Sequence, residues 1–422
     1  MRVSARCTGP RMEESDMGLD KEQAVNVKTY PLTVKCRSGM SHTTSSAGKM
    51  GKGVPDSTVE FFNDIRKPLI RSSPLGTLEH CPRKFLYEYR LGIKTRRYES
   101  ALLMGTIVHK VLESLFTGDT PTEALSVCER LLAKEQQRLI EDAGTDGFLS
   151  TGEALDPVLK KLEEDYHKAR ATGLVFWQFV PFNQDEWEVL RTPDNTPMIE
   201  VLMECEYPGL NRPIRCPCDL ALLHKPTGEV WIVDYKTTTF DPKKRAVPTQ
   251  ISAQLKLYRL VLQTHLDSWA EAGLAPKRKV AGSMHAIIKK PGIKSGTAQD
   301  KKNAAEWNCG LFDAYIRRLV QWYKDADEKD PENPPLILDP NRFTGPLMTQ
   351  ELWGRLKQYC KACNAQPNIH HFYRAGESAC MQYNRICPFM KLCKSCPSMW
   401  PDLVEQGFRI SFREDDEDAG TD

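Results

Sequence analysis

The chain has 422 residues, 40% of them hydrophobic, enough for a sizeable core in one large domain or in two or three smaller ones. A formal net charge of only +2 rules out arguing for a nucleic-acid partner from global charge, so any such partner needs a local basic surface. No apolar run approaches the roughly 20 residues of a membrane helix, and no apolar segment follows the early arginines, so neither a membrane span nor a secretory signal is expected. The expected setting is the cytoplasm, where 14 cysteines read as metal or cluster ligands and buried thiols rather than disulfides.

Residues 1–67 show no sustained periodicity, and Ser41 to Gly53 has the Ser, Thr, Gly and Lys content of a disordered arm. Ser72-Ser73-Pro74 predicts a helix start, with Ser73 as N-cap and Pro74 at the first helical position. Leu75, Leu78, Phe85, Leu86 and Tyr89 continue at helical spacing, while Pro82 interrupts the helix directly after Cys81 and frees its sulfur to face a ligand. Ala101 to Phe116 reads as an amphipathic helix carrying His109, a core histidine or a ligand by pattern alone. Two more helices, separated by Gly144 to Gly152, fill residues 120–170 as an appended helical region. Strand signals follow at Leu174 to Val180 and Ile199 to Tyr207; on the second, Glu200, Glu204 and Glu206 form a solvated face unless one assists a metal.

The chemistry concentrates in Cys218 to Thr237. Apolar runs flank Lys225-Pro226-Thr227-Gly228-Glu229, and such a core between strand formers predicts a hairpin. Antiparallel pairing then sets Asp219 nearly opposite Asp234, with Lys236 on the same face as Asp234. Two carboxylates so close repel unless a cation sits between them, and hard oxygen ligands suit Mg²⁺ or Mn²⁺. A lysine beside such an ion can act on water or stabilise a pentavalent phosphate. Asp241, Asp300 and Asp327 also precede a lysine by two residues, but they lie in polar stretches and read as solvated charge pairs.

Beyond the hairpin, Asp241 to Arg245 is a basic loop, and Thr249 to His265 a helix with Gln254 and Tyr258 on one face. Gly282 to Ile288 reads as a strand, residues 289–305 as a loop, Trp307 to Asp325 as a helix presenting Arg317, Arg318, Trp322 and Tyr323, and Pro331 to Pro346 as a Pro-rich connection to a helix at Gln350 to Lys361. The run Cys380, Cys387, Cys393, Cys396 is too dense for four core thiols. Either Cys360 and Cys363 pair with Cys393 and Cys396 in a zinc ribbon, or three late cysteines join Cys81 around an iron–sulfur cluster. Glu414 to Asp418 forms an acidic tail.

In order, Cys81-Pro-Arg-Lys-Phe, Gly105-x-x-x-His109, Asp219, Asp234-Tyr-Lys236-Thr, Gln254-x-x-x-Tyr258 and Cys380…Cys387-Pro-x-x-x-x-Cys393 resemble the PD-(D/E)XK nuclease superfamily. The likeness is to its RecB-like and AddB-like branch with an iron–sulfur staple, which includes phage and CRISPR-adaptation exonucleases. The resemblance implies metal binding by His109, Asp219, Asp234 and the Tyr235 carbonyl, with Lys236 catalytic. It implies that Gln254 and Tyr258 orient the site and contact nucleic acid. Cys81, Cys380, Cys387 and Cys393 would hold a [4Fe–4S] cluster, although Asn384 stands where the family often has a cysteine, which leaves Cys396 as an alternative to Cys380. The implied fold is α/β (α+β), a mixed sheet of about four or five strands flanked by helices. Its expected parts are an arm (1–67), the first cluster cysteine and His-bearing helix (68–118), a helical insertion (119–173), the nuclease core (174–290), C-terminal helices with the cysteine staple (291–400) and an acidic tail (401–422). The implied activity is a metal-dependent DNA exonuclease in end processing or recombination, in a bacterial or phage-infected cell. Its expected partners are single-stranded DNA or duplex ends and a helicase or recombinase. The rival readings are a non-catalytic nucleic-acid-binding module and a zinc-ribbon interaction protein.

Overall fold

The computed structural model describes residues 67–95, 100–143, 147, 149, 153–179, 182–183, 185–244, 253–365, 372–382 and 385–411. Nearly all of the expected arm, residues 412–422 of the expected acidic tail, Arg245 and Asn384 lie outside the described residues.

In chain order, α1 (Ser72–His80), α2 (Pro82–Phe85), a π-helical turn (Leu86–Arg90) and β1 (Ile93–Thr95) lead to α3 (Ser100–Thr117), α4 (Pro121–Ala143) and α5 (Leu155–Phe179). The strands β2 (Trp187–Val189), β3 (Ile199–Cys205), β4 (Ile214–His224) and β5 (Glu229–Thr238) follow. After α6 (Ala253–Glu271) comes β6 (Val280–Lys289); after α7 (Ala298–Glu306) and α8 (Leu311–Lys329) comes β7 (Leu336–Arg342). The chain continues through α9 (Gln350–Asn364), α10 (Glu377–Cys380), β8 (Met381–Gln382), β9 (Arg385–Ile386), α11 (Met390–Lys394), α12 (Trp400–Gly407) and β10 (Phe408–Ile410).

Among the described residues, β2 to β7 form one six-stranded mixed sheet in the order β2-β4-β5-β6-β7, with β3 also paired to β4. Only β5 and β6 run parallel, joined across α6. Period-2 alternation distributes the strands between two cores. Val230 and Ile232 pack under α1, α6 and α9, while Val233 and Tyr235 pack under α3, α5 and α8. The sheet flanked by helices is the α+β architecture expected, with more strands than four or five. The hairpin forms as the turn chemistry requires: Gly228 has φ 70 and follows Pro226-Thr227, and β4 pairs with β5 from His224↔Glu229 to Leu220↔Val233.

Several local expectations are corrected. α1 begins at Ser72 after Arg71, with no side-chain cap, so Ser73 is not its N-cap. Leu174 to Phe179 is the end of α5 rather than a strand, because Ala169, Ala171, Val175 and Phe176 bury a helical face against α3 and the sheet. Gly173 allows that approach: a Cβ there would meet Val111 Cβ at 2.8 Å. Part of the loop expected at 289–305 is α7, started by a reciprocal cap between Thr297 and Asp300. Asp300 is therefore not a solvated charge; it is fully buried and also pairs with Arg318 at 2.7 Å. The Pro-rich segment contains β7, which tolerates Pro340 because it is the sheet's edge.

The two ends of the described chain meet. β1 pairs with β10, and Tyr87 sits against Trp400 (centroids 5.0 Å) and Phe389 (5.6 Å). Arg90 donates to the Ala362 carbonyl at 2.8 Å, joining the π-turn to α9.

Candidate active site

β3 and β4 change face where Glu200 and Asp219 stand. Ile199 and Leu220 belong to the core under α3 and α5, whereas Val201 and Cys218, two residues along each strand, belong to the core under α6. Residues two apart on a regular strand share a face, so both strands must break here. Glu200 carries the break, with φ 49 in the left-handed region that non-glycine residues seldom adopt. Continuing the register on both sides sets Glu200, Asp219 and Asp234 in one row, and the parallel ladder adds His285 opposite Asp234.

His109 completes this row from α3. Its Nδ1 lies 2.9 Å from Glu200 Oε1 and 3.8 Å from Asp219 Oδ2, while Nε2 lies 3.2 Å from the Tyr235 carbonyl. Asp219 is almost fully buried, and its Oδ2 accepts from the Tyr235 amide at 3.1 Å. Ligand atoms of His109, Glu200 and Asp219 all fall within 4.8 Å of one another, the geometry of a single-cation cradle. Two hard carboxylates, an imidazole and a carbonyl fit Mg²⁺ or Mn²⁺ better than a soft-ligand metal. Of the two glutamates on β3, only Glu200 comes here; Glu204 pairs instead with Arg215 at 2.5 Å. Glu200→Gln should weaken Mn²⁺ binding about tenfold by removing one charge from the cradle, a change that calorimetric titration would detect.

Asp234 is wholly buried, and both its oxygens are engaged. Lys236 Nζ donates to Oδ1 at 2.7 Å, and His285 Nδ1 lies 3.1 Å from Oδ2. Lys236 also reaches Gln254 Oε1 at 3.4 Å, and the Gln254 amide donates to the Tyr258 hydroxyl at 2.7 Å. Gln254 thereby holds the ammonium group in place. Tyr258 is only 1% exposed, so it can orient Gln254 but cannot touch a substrate, and the expected nucleic-acid contact does not extend to it. Sequence reasoning missed His285. Its signal was a histidine within the apolar run Ser283-Met284-His285-Ala286, meaningful only once β6 is known to lie beside β5. His285→Asn should preserve most metal affinity because its amide can still donate to Asp234, whereas His285→Leu should lose it by about tenfold or more.

The protonation pattern matches a site built for a cation. Burial, with Asp234 and Glu200 adding to it, pushes the Asp219 carboxyl up to about 7. Burial alone would lower His109, but Asp219 and Glu200 overcome it and raise the imidazole to about 9. Burial opposes ionisation of Asp234, yet Lys236 and His285 bring it down to about 2. Between pH 3.8 and about 7 the folded state therefore holds a proton on Asp219 that the unfolded chain has released, and stability falls as pH rises. His109 acts in the same direction: its contribution is full below pH 6.5 and is lost as pH rises through about 9. Metal-free protein should unfold at a lower temperature at pH 9 than at pH 5, and millimolar Mn²⁺ should cancel most of the difference. Thermal unfolding in chelator and in Mn²⁺ at both pH values measures this.

The cysteines separate into two groups. Cys81, Cys380, Cys387 and Cys393 line one cavity with Arg83, Lys84 and Arg374, whereas Cys396 is exposed outside it. Cys81 faces the cavity from the break between α1 and α2, where its backbone is extended (φ −155) before Pro82. Burial pushes the Cys387 and Cys393 thiols up, and neighbouring Lys84, Arg374 and Arg83 oppose that shift, as a thiolate-bound group of net negative charge would require. Among the described residues, no three cysteines bring their sulfurs within 4.8 Å. Cys360 and Cys363 sit on α9 in the core, with Cys363 Sγ 3.7 Å from the Pro68 carbonyl, and they do not join Cys393 and Cys396.

No helix among the described residues is long and apolar enough to cross a membrane. Comparison with protein-family models matches residues 72–397 to the PD-(D/E)XK nuclease superfamily. A search of curated proteins gives no match.

Proposed function

Because the chain belongs to the PD-(D/E)XK nuclease superfamily and is on that ground a metal-dependent nuclease, we propose that it is a DNA exonuclease of the RecB-like branch. The observation that carries the site assignment is the convergence of His109, Glu200 and Asp219 within 4.8 Å beside the Asp234–Lys236 pair.

In this reading His109, Glu200, Asp219, Asp234 and the Tyr235 carbonyl hold Mg²⁺ or Mn²⁺. The bound ion supplies an acidified water and charge neutralisation at the attacked phosphate. Lys236, fixed between Asp234 and Gln254, keeps an ammonium group beside the position where phosphate charge builds up. His285 and Lys236 pin the Asp234 carboxylate from its two oxygens, so its orientation does not depend on the ion. The buried Tyr258 hydroxyl fixes which way the Gln254 amide points.

The cavity ringed by Cys81, Cys380, Cys387 and Cys393 supports a [4Fe–4S] cluster with a structural role, joining the first helix to the C-terminal end. The assigned setting is DNA end processing in recombination or repair, in a phage or bacterial system, with a helicase or recombinase as partner. A time course on end-labelled linear and on circular DNA, single- and double-stranded, with Mg²⁺ or Mn²⁺, tests the proposal. Linear substrates should be consumed from their ends while circles survive. Equal attack on circles would make the enzyme an endonuclease, and binding without metal-dependent hydrolysis would favour a non-catalytic module.

A further inference from the structure

The row of polar groups that begins at the cradle continues across the sheet beyond Asp234. His285 on β6 stands opposite Asp234 of β5 on one side and opposite Asp339 of β7 on the other. Two residues earlier on β6, Ser283 stands opposite Asn341. Met284, Ala286 and Leu338 belong to the core under α3, α5 and α8, so Ser283, His285, Asp339 and Asn341 share the other face, with opposed Cβ atoms about 5 Å apart. Two of these groups are buried without being satisfied. His285 is 1% and Ser283 0% exposed, and among the described residues neither His285 Nε2 nor Ser283 Oγ has a hydrogen-bond partner. Buried polar atoms are ordinarily paired, so two orphans on one face need a common explanation. The neighbour of His285 fixes its protonation: a carboxylate already taking a proton from Lys236 can only accept, so Nδ1 carries the hydrogen. Nε2 then presents a lone pair on the side of the ring away from Asp234. A histidine that donates one ring N–H to a carboxylate and offers the other nitrogen is set up as metal-binding histidines are.

We propose that His285 Nε2, the Asp339 carboxylate, the Ser283 hydroxyl and the Asn341 amide oxygen hold a second divalent cation, separate from the cradle and behind Asp234. One imidazole among oxygen donors suits an ion of the Mn²⁺ or Zn²⁺ type. Ser283 and His285 lie deep, whereas Asp339 and Asn341 are half-buried on the edge strand β7, which gives the ion a way in from the side of the sheet. An ion on Nε2 locks the imidazole in the tautomer that donates to Asp234. Occupancy of this site therefore steadies Asp234 without touching a substrate, and the proposal stands apart from the nuclease reading.

Electron paramagnetic resonance of the full chain titrated with Mn²⁺ counts the bound ions without requiring any hydrolysis. Wild type should bind two ions, Asp339→Asn one, Asp219→Asn one, and the variant carrying both changes none. Ser283→Ala, which leaves β7 untouched, should weaken the second ion by about tenfold and the first little. Thermal unfolding in chelator checks that each variant is folded. A single wild-type ion that Asp219→Asn loses and Asp339→Asn keeps would overturn the second site while the cradle stands, and would leave a buried water to satisfy the two orphan atoms. A single ion lost in Asp339→Asn and kept in Asp219→Asn would overturn the cradle and leave the second site. Should Asp339→Asn not fold, Ser283→Ala decides, and unchanged affinity for both ions overturns the site.

Discussion

Lys236→Ala is expected to lower DNA cleavage by about 10³-fold, or ~4 kcal/mol of transition-state stabilisation, with substrate affinity changed little. The lysine is placed by two acceptors, Asp234 Oδ1 at 2.7 Å and Gln254 Oε1 at 3.4 Å, neither of which can supply a positive charge in its absence. The fold should survive, because Asp234 keeps His285 on its other oxygen. Loss of one charge-assisted hydrogen bond to a buried carboxylate costs about 2 kcal/mol. Lys236→Arg should not restore full activity, since a planar guanidinium cannot occupy the same point between the two acceptors. Single-turnover cleavage beside a denaturation curve separates the catalytic loss from the modest stability loss. Equal cleavage by wild type and Lys236→Ala would count against the assignment.

The second large effect belongs to the cysteine cavity. Cys393→Ser should abolish a broad absorbance near 400 nm in anaerobically purified protein and lower stability by several kcal/mol. Tying Cys81 to the late cysteines closes a loop of about 300 residues, worth about 5 kcal/mol of unfolded-state entropy. The loss should fall short of unfolding, because the β1–β10 ladder and the packing of Tyr87 on Phe389 and Trp400 also join the two ends. Cys396→Ser should leave both spectrum and stability unchanged, since that thiol lies outside the cavity. A colourless wild-type protein containing zinc would refute the cluster.

Much of this site was legible in the sequence because it is local. The Asp219–Asp234 approach follows from one turn and a period of two, and the placing of Lys236 from the same period. Glu200 could not be singled out from Glu204 and Glu206 because its distinction is a backbone break, and nothing in the side-chain pattern marks a left-handed residue that is not glycine. His285 depends on a parallel pairing between strands separated by a whole helix, which periodicity cannot reveal. The strand expected at Leu174 to Val180 failed for a related reason: a run of β-branched and aromatic residues also suits a helix buried on α3 and the sheet, and tertiary packing decided. Asp300 looked like its D-x-K counterparts until α7 was seen to start beside it.

Anomalous scattering from crystals grown with Mn²⁺ tests the account most directly. The expected result is a peak bounded by His109, Glu200, Asp219 and the Tyr235 carbonyl, beside Asp234, absent from crystals of Asp219→Asn. Hydrolysis that persists in that variant, or a manganese peak elsewhere with this cradle vacant, would contradict it.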